Sequence, residues 1–170
     1  MVLSDKDIKE YQTLGKIKIT HFNEENLRSG SYSLTLGNTI YKLKQVTIID
    51  VRDVKQEYDE FKLTDEGYVI QPGEFLLSKS KEHITLSDDI VGLLSTRGSR
   101  AQIGLNVLFS SLLLEPGTNN HIALEILNAS SIPIRIYPGI PMVKTIFLPL
   151  SSLANMKGRG KDFFARQELE

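Results

Sequence analysis

One stretch of the chain combines cationic, hydroxyl and glycine residues at a spacing that suits the binding of phosphate. Residues 95–102, STRGSRAQ, form a polar segment between two apolar runs. Gly98 lets backbone N–H groups approach a phosphate, and Ser99, Arg97 and Arg100 can donate hydrogen bonds to its oxygens. A segment of this composition is also typical of an ordinary polar connection between strands. Both interpretations therefore stay open.

Glu125 is a second candidate, because it lies in an otherwise apolar segment, residues 122–127. Strand alternation puts it on one face with Ala123 and Leu127. In a pocket, loss of water would favour the protonated carboxyl and suit it for general acid–base catalysis. On an exposed strand face, the more common situation, it would have no such role.

Glu115 precedes Pro116 and Gly117 in a predicted turn. An acidic residue there is usually part of the turn alone, but it can also hydrogen-bond a sugar hydroxyl or position a water molecule. The chain has no cysteine, and its three histidines show no ligand spacing. The sequence therefore predicts no metal site built from protein side chains.

Composition limits the classes of partner. With 170 residues and a net charge of -1, the chain is expected to form one globular domain and not to bind nucleic-acid polymers. No apolar run approaches the roughly 20 residues of a membrane span. The charged first residues do not resemble a signal peptide. We therefore expect a cytoplasmic protein without a membrane partner.

Short strand patterns recur roughly every ten residues, separated by proline and glycine, which predicts an all-β sandwich or barrel. A short N-terminal helix is expected over residues 5–14, capped by Ser4 and ended by Gly15. The charged segment 52–66 is interpreted as a surface insertion, Gly37-Asn38 as a turn, and the basic residues 151–170 as a flexible tail after a domain at 1–150. The predicted strands are 16–20, 31–36, 39–43, 46–50, 68–70, 75–78, 82–86, 91–94, 122–127, 132–137 and 142–148.

Taken together, several segments resemble the dCTP deaminase family of the dCTP deaminase/dUTPase superfamily. The resemblance covers nearly the whole chain to about residue 150, and the order and spacing of the segments are more specific than any one of them. The matching segments are LSDKDI at 3–8, LTLGN at 34–38, PGEFLL at 72–77, LSDDIVG at 86–92, EPG at 115–117, LE at 124–125 and YPG at 137–139.

The resemblance implies a mainly β, distorted barrel or jelly-roll-like domain of the dUTPase type, assembled as a homotrimer with active sites between subunits. It implies a deoxyribonucleoside triphosphate substrate, dCTP or dUTP, that carries Mg²⁺ on its phosphates. Glu125 would activate water for attack at C4 of cytosine and then protonate the departing ammonia. The implied substrate-binding residues are Arg97, Gly98, Ser99, Arg100, Ala101, Gln102, Glu115 and Ala123.

The sequence departs from the family pattern at the polar segment, where RGSRAQ stands against RSSLAR. Gln102 replaces an arginine that would orient the glutamate and the water, and Gln carries no charge. Three functions stay open: deamination of dCTP to dUTP or dUMP, hydrolysis of dUTP to dUMP and pyrophosphate with Glu115 placing the water, and nucleotide binding without catalysis.

Overall fold

The structure is a computed structural model that describes residues 1–45, 48–52, 57–107 and 112–154. Helix α1 covers Asp5–Thr13, close to the predicted bounds. The Ser4 hydroxyl accepts a hydrogen bond from the Asp7 amide, and the Asp7 carboxylate accepts one from the Ser4 amide, so the capping box is complete. Within the described residues, neither this helix nor any other has the length and apolar character to cross a bilayer.

Antiparallel strands form about half of the described part of the chain and are its main elements, as the sequence predicts. Two short pieces, a 3-10 turn at Glu24–Asn26 and helix α2 at Gly98–Ala101, interrupt them. The strands are β1 (Ile17–Ile19), β2 (Leu27–Arg28), β3 (Ser31–Leu43), β4 (Tyr58–Lys62), β5 (Tyr68–Ile70), β6 (Phe75–Leu86), β7 (Ile90–Thr96), β8 (Leu105–Asn106), β9 (Leu113–Leu114), β10 (Asn119–Asn128), β11 (Ile134–Ile136) and β12 (Pro141–Pro149).

The main sheet has the strand order β8-β10-β6-β3-β12-β7-β9, with β1 added at β6 and β2 and β4 added at β3. The Thr96 hydroxyl at the end of β7 bonds Asn106 and the Val107 amide beside β8, at the other end of this order. The sheet therefore curls, so that the end of β7 comes close to β8. The predicted mainly β, barrel-like fold with a short N-terminal helix is confirmed.

The inner side of the curled sheet holds a single apolar core. Strand β6 alternates throughout between buried and less buried residues, and β10 does so from Ile122 onward, so each contributes one face to the core. The largest fully buried side chains come from α1 and from seven of the strands: Tyr32, Phe147, Ile8, Ile17, Leu34, Leu36, Ile40, Ile70, Leu76, Ile84, Ile90 and Leu105.

The predicted turn at Gly37-Asn38 is wrong, because both residues lie inside β3. The pairing of β3 with β6 shifts register between Leu36 and Ile40. A Cβ atom at Gly37 would lie 2.7 Å from the carbonyl oxygen of Lys79. The glycine is needed for close approach of β6, and not for a reversal of the chain.

Other boundaries also differ from the predictions. Residues 75–78 and 82–86 belong to one continuous strand, β6, because β3 and β10 pair with it on both sides. The predicted surface insertion contains β4, an exposed strand paired with β3. Residues 48–50 are not in a strand, whereas 46–47 lie outside the described residues, as do 155–170 of the predicted tail.

Glu82 is a carboxylate inside the core, only 1% exposed. Its two oxygens accept hydrogen bonds from the Thr35 amide and the Thr35 hydroxyl, both 2.8 Å long. These bonds join β6 to β3 beside the register shift. A buried carboxylate is tolerated only when such donors replace water.

We expect Glu82→Ala to lower the free energy of unfolding by roughly 3 kcal/mol, because it leaves the Thr35 donors unsatisfied. Glu82→Gln keeps one acceptor and should lose less. Urea denaturation of both variants measures this, with Glu10→Ala on the exposed face of α1 as the control, expected within about 0.5 kcal/mol of the parent. An Ala variant as stable as the parent would contradict the structural role of Glu82.

Candidate active site

The polar segment after β7 folds into one helical turn, α2, where the sequence suggested only a loop. Arg97 is its N-cap residue, and the Arg97 amide donates to the Met142 carbonyl on β12, which fixes the segment against the sheet. Gly98, Ser99, Ala101 and Gln102 are exposed on the turn. The predicted phosphate-binding residues therefore form one accessible surface.

The two arginine side chains of this turn point toward β3 and β12. The Arg97 guanidinium donates to the Ser33 hydroxyl at 3.2 Å, and the Arg100 Nε donates to the Pro141 carbonyl at 3.3 Å. Among the described residues, no carboxylate forms an ion pair with either arginine. Arg100, which stands at a leucine position of the family pattern, therefore adds its charge on the same side as Arg97.

Positive charge is concentrated near Arg97, and among the described residues no carboxylate forms an ion pair with it. Burial lowers the pKa of the Arg97 guanidinium, and the positive charges of Arg100 and Arg28 lower it further. The guanidinium still carries its proton at neutral pH, because its ordinary pKa is far above that range. A half-buried guanidinium with two further arginines nearby has the chemistry that suits an anionic ligand.

Glu125 lies where strand alternation predicted, on the outer face of β10 with Ala123 and Leu127. It is half-buried, and its neighbour across the sheet is Leu77 on β6. Tyr41 on β3 stands beside Leu77 in the same row. Burial raises the pKa of the Tyr41 hydroxyl, with a smaller contribution from Glu60. The next two residues across the sheet from Glu125 are thus a leucine and a tyrosine.

Strand β10 pairs with β6 along one edge, and its other edge is called the seam below. Strand β8 pairs with the seam at Leu127 and Asn128, and the Glu125 amide donates to the Val107 carbonyl at 3.1 Å. Residues 108–111, which follow Val107, lie outside the described residues, and β9 pairs with β7. Ala123 and Glu125 are two residues apart along the seam and share one strand face.

Glu115 is exposed in the turn that the sequence predicted. Its carbonyl accepts hydrogen bonds from the amide and hydroxyl of Thr118, and Gly117 has a positive φ of 65°. The turn packs at the far end of β10, because the Gly117 amide donates to the Ser87 carbonyl. Six residues of strand, about 20 Å, separate Asn119 from Glu125.

The structure therefore brings together some of the predicted residues and separates others. Residues 97–102 share one surface, and Ala123 shares a strand face with Glu125. Among the contacts of the described residues, the Thr96 hydroxyl and the Val107 backbone link these two groups. In the described part of the chain, the arginine side chains are bonded away from Glu125. The assigned roles of these residues stay predictions.

One cluster has no signal in the sequence. His83 and His121 are widely separated along the chain, yet the pairing of β6 with β10 brings their rings to 5.2 Å in a T-shaped contact. Only the register of two long strands could have revealed this pair. No three histidine or acidic side chains of the described residues are grouped so that they could hold a metal ion.

Comparison with known proteins gives the family. The profile of the dCTP deaminase-like family matches residues 2–150. The chain belongs to the dCTP deaminase-like family. This confirms the resemblance found in the sequence segments.

Curated members of the dCTP deaminase-like family are similar over almost the full length of the chain. The dCTP deaminase of Ignicoccus hospitalis is 35% identical over 158 residues, 89% of this chain and 85% of that protein. The protein called dCTP deaminase, dUMP-forming, of Sulfurihydrogenibium is 33% identical over 165 residues, 95% and 91% of the two chains.

Solved structures of the superfamily share the fold. The 2'-deoxycytidine 5'-triphosphate deaminase of Agrobacterium tumefaciens superposes with a TM-score of 0.70 at 19% identity over 86% of this chain. The present chain spans about half, 47%, of that longer protein. The dUTPase of Streptococcus mutans gives a TM-score of 0.50 at 16% identity over 82% of this chain and 98% of that chain.

We expect Arg97→Met to weaken the binding of inorganic triphosphate to the α2 surface by about tenfold or more, because hydrogen bonds to charged groups are worth roughly 1.5–3 kcal/mol. The unliganded variant should be no less stable than the parent, because repulsion among the arginines is relieved. Titration calorimetry and urea denaturation measure the two quantities. Arg135→Met, which removes an arginine from β11, is the control. Undiminished affinity in Arg97→Met would contradict the anion site.

Proposed function

We propose that this protein is an enzyme that deaminates dCTP without zinc, releasing ammonia and dUTP, or dUMP when the phosphate chain is also cleaved. The observation that carries the proposal is Glu125, a half-buried carboxylate next to the seam of β10 and in line with Leu77. The names of the curated relatives, dCTP deaminase and dCTP deaminase, dUMP-forming, support the same reaction.

In the proposed complex, the pyrimidine ring lies at the seam next to Ala123, whose small side chain leaves space for it. The ring would then lie next to the carboxylate two residues along the strand, on the same edge.

Glu125 then moves the protons of the reaction. The carboxylate accepts a proton from water as the oxygen attacks C4, and the tetrahedral carbon carries both the new hydroxyl and the amino group. The electron pair displaced from the C4=N3 bond takes up a proton, so that N3 becomes N–H, and the new hydroxyl gives up its proton and becomes the C4 carbonyl. The same carboxyl group donates its proton to the amino nitrogen, and the bond from C4 to that nitrogen breaks to release ammonia. Water supplies the oxygen, so that dCTP and water give dUTP and ammonia. The apolar neighbours of Glu125 strengthen its interaction with the developing charge.

The triphosphate is assigned to the α2 surface, where Gly98 and Ser99 are exposed and the half-buried Arg97 and Arg100 supply positive charge. Mg²⁺ is proposed to accompany the substrate and to neutralise part of its charge. The described residues offer no cluster of three metal-ligating side chains, so the phosphate oxygens would be its ligands. This division suits Mg²⁺, which often retains water and substrate phosphates as ligands.

A second copy of the chain is proposed to complete each active site, in a homotrimer. The cationic side chains of α2 point toward β3 and β12, whereas Glu125 lies on the outer face of β10. An apolar pair, Leu93 on β7 and Leu113 on β9, remains 38% and 37% exposed. Burial of such side chains against another copy would stabilise the assembly.

Glu125→Gln should reduce ammonia release from dCTP by about 10³-fold, because the amide cannot take or deliver the proton. The urea midpoint should stay close to that of the parent. Glu60→Gln is the matched control, because Glu60 stands in the same row across the sheet, beside Tyr41. An ordinary rate of ammonia release from Glu125→Gln would exclude this mechanism.

Refolding two different variant chains together tests whether residues from two subunits form one active site. Co-refolded Glu125→Gln and Arg97→Met chains should regain part of the parental ammonia release, because some interfaces then combine an intact glutamate with an intact arginine. Refolded alone, Glu125→Gln should release almost no ammonia, and Arg97→Met should release it slowly at low dCTP concentration because it binds dCTP more weakly. Mixtures no more active than the separate variants would place both residues of one site on a single chain.

Hydrolysis of dUTP to dUMP and pyrophosphate is the second candidate, either alone or after deamination. It is favoured by the exposed Glu115 in its turn and by the dUMP-forming activity named for several relatives. Glu115 would position the water that attacks the α-phosphorus. This candidate requires pyrophosphate release from dUTP, and as the sole activity it gives no ammonia from dCTP.

For this candidate, Glu115→Ala should lower pyrophosphate release from dUTP by about 10²-fold or more while ammonia release from dCTP is less affected. Both products are measured in the same reactions with Mg²⁺, and Glu66→Ala provides a control at another exposed turn. An unchanged pyrophosphate rate would exclude the role of Glu115. If the parent turned over neither nucleotide at roughly 1 s⁻¹, the chain would be a nucleotide-binding homologue without catalysis.

The remaining expectations concern the setting of this activity. The cytoplasmic location, the absence of nucleic-acid polymers and membranes as partners, and a flexible tail after a single domain at 1–150 stay predictions. They are consistent with a small nucleotide as the substrate.

A further inference from the structure

A cleft of ≈ 460 Å³ lies on the outer face of the sheet, on the β6 side of β10 and therefore across this strand from the seam. Pockets of this size take small organic ligands. Its lining comes from β3, β6, β10 and the turn before β12: His21, Leu36, Gly37, Asn38, Lys79, Ser80, Lys81, His121, Pro138 and Gly139.

The charged side chains that line the cleft are cationic. Lys79 and Lys81 are two residues apart on β6 and point to the same face of the sheet. His21 and His121 add two imidazole rings, and no aspartate or glutamate belongs to the lining. Among the described residues, neither lysine has an ion-pair partner. The two ammonium groups are therefore available to an anion.

One imidazole is held in a fixed orientation. Nδ1 of His121 is 3.0 Å from the Ser80 carbonyl oxygen, which only accepts hydrogen bonds, so Nδ1 carries the proton of this contact. Nε2 of His121 is then left to accept from, or when protonated to donate to, a ligand. The edge contact with His83 further restricts the ring. Preorganised groups of this kind lose little entropy on binding.

Two glycines shape the floor of the cleft. Gly37 lets β3 pass close to β6, because a Cβ atom there would clash with the Lys79 carbonyl. Gly139 has a positive φ of 75°, and its amide donates to the Leu36 carbonyl, which holds the turn before β12 against β3. Leu36 and Pro138 supply apolar surface beside the charged groups.

We propose that this cleft is a second anion site, in which Lys79, Lys81 and His121 bind the phosphate groups of a small phosphorylated molecule. It differs from the α2 surface in its residues and its strands, and it does not depend on catalysis at Glu125. Lys79 pairs directly with Ala123 across β6 and β10. An occupied cleft therefore lies against the strand whose other edge borders the seam.

Titration calorimetry with inorganic triphosphate tests the site in the Arg97→Met background, where binding at α2 is weakened. Lys79→Ala/Lys81→Ala should reduce the remaining affinity by at least about tenfold, the loss expected for two charge-assisted contacts. Lys6→Ala/Lys18→Ala is the matched control, because it removes the same charge from exposed positions outside the cleft, and it should change affinity by less than about twofold. Equal losses in both double variants would overturn the proposal.

The three histidines of the chain provide an independent measurement. Saturating triphosphate should shift the imidazole NMR signals of His21 and His121 in the Arg97→Met protein, and the Lys79→Ala/Lys81→Ala change should abolish both shifts. ATP in place of triphosphate tests whether the site accepts a phosphate chain attached to a nucleoside. Shifts with both probes mean that the site recognises the phosphate chain alone. Shifts with triphosphate only mean that it takes free polyphosphate. Unchanged signals with both probes would exclude the site, whether or not the protein deaminates dCTP.

Discussion

The pairing of β6 with β10 is the constraint on which both proposed sites depend. It runs from Asn119 opposite Thr85 to Leu127 opposite Phe75, with one irregularity between His121 and Ala123. A register shift of one residue would move Glu125 into the core and bring a buried isoleucine or leucine to the surface. The alternation of buried residues along both strands makes that shift very unfavourable. The hydrophobic core therefore fixes the position of the proposed catalytic carboxylate.

The same pairing gives the two edges of β10 different properties. On one edge, β6 forms backbone hydrogen bonds with β10, and its Lys79 and Lys81 line the cationic cleft. On the other edge, β8 pairs with β10 at Leu127 and Asn128, and Val107 bonds the Glu125 amide. One strand thus borders both of the proposed sites.

The parts of the fold that follow from local patterns could be predicted from the sequence. Ser4 and Asp7 form the expected capping box, and the Pro-Gly turns give positive φ at Gly73, Gly117 and Gly139. The alternation that placed Glu125 on a face with Ala123 depends only on the period of a strand. Family membership followed from the order of short segments, none of which is specific alone.

Features that depend on distant parts of the chain could not be predicted. Gly37 was interpreted as a turn residue because local patterns cannot show that β6 passes 2.7 Å from its missing Cβ. For the same reason β6 was divided in two, and the contact between His83 and His121 was missed. The directions of Arg97 and Arg100 depend on Ser33 and Pro141, which are 64 and 41 residues away. The sequence identified the residue types of the site, but only the sheet determined which of them face each other.

The α2 turn carries two arginines, as the family pattern does, although one of them stands at a different position. Gln102 lacks the charge of the family arginine, whereas Arg100 adds a charge where the family pattern has leucine, so the turn keeps two cations. Because the Arg100 side chain is bonded to the Pro141 carbonyl, the added charge lies near Arg97, where burial lowers the pKa of the Arg97 guanidinium and the charge of Arg100 lowers it further. The exchange thus keeps two cations on the turn and moves the second one to a new position. Under the proposed function, other groups along the seam would have to orient the water at Glu125.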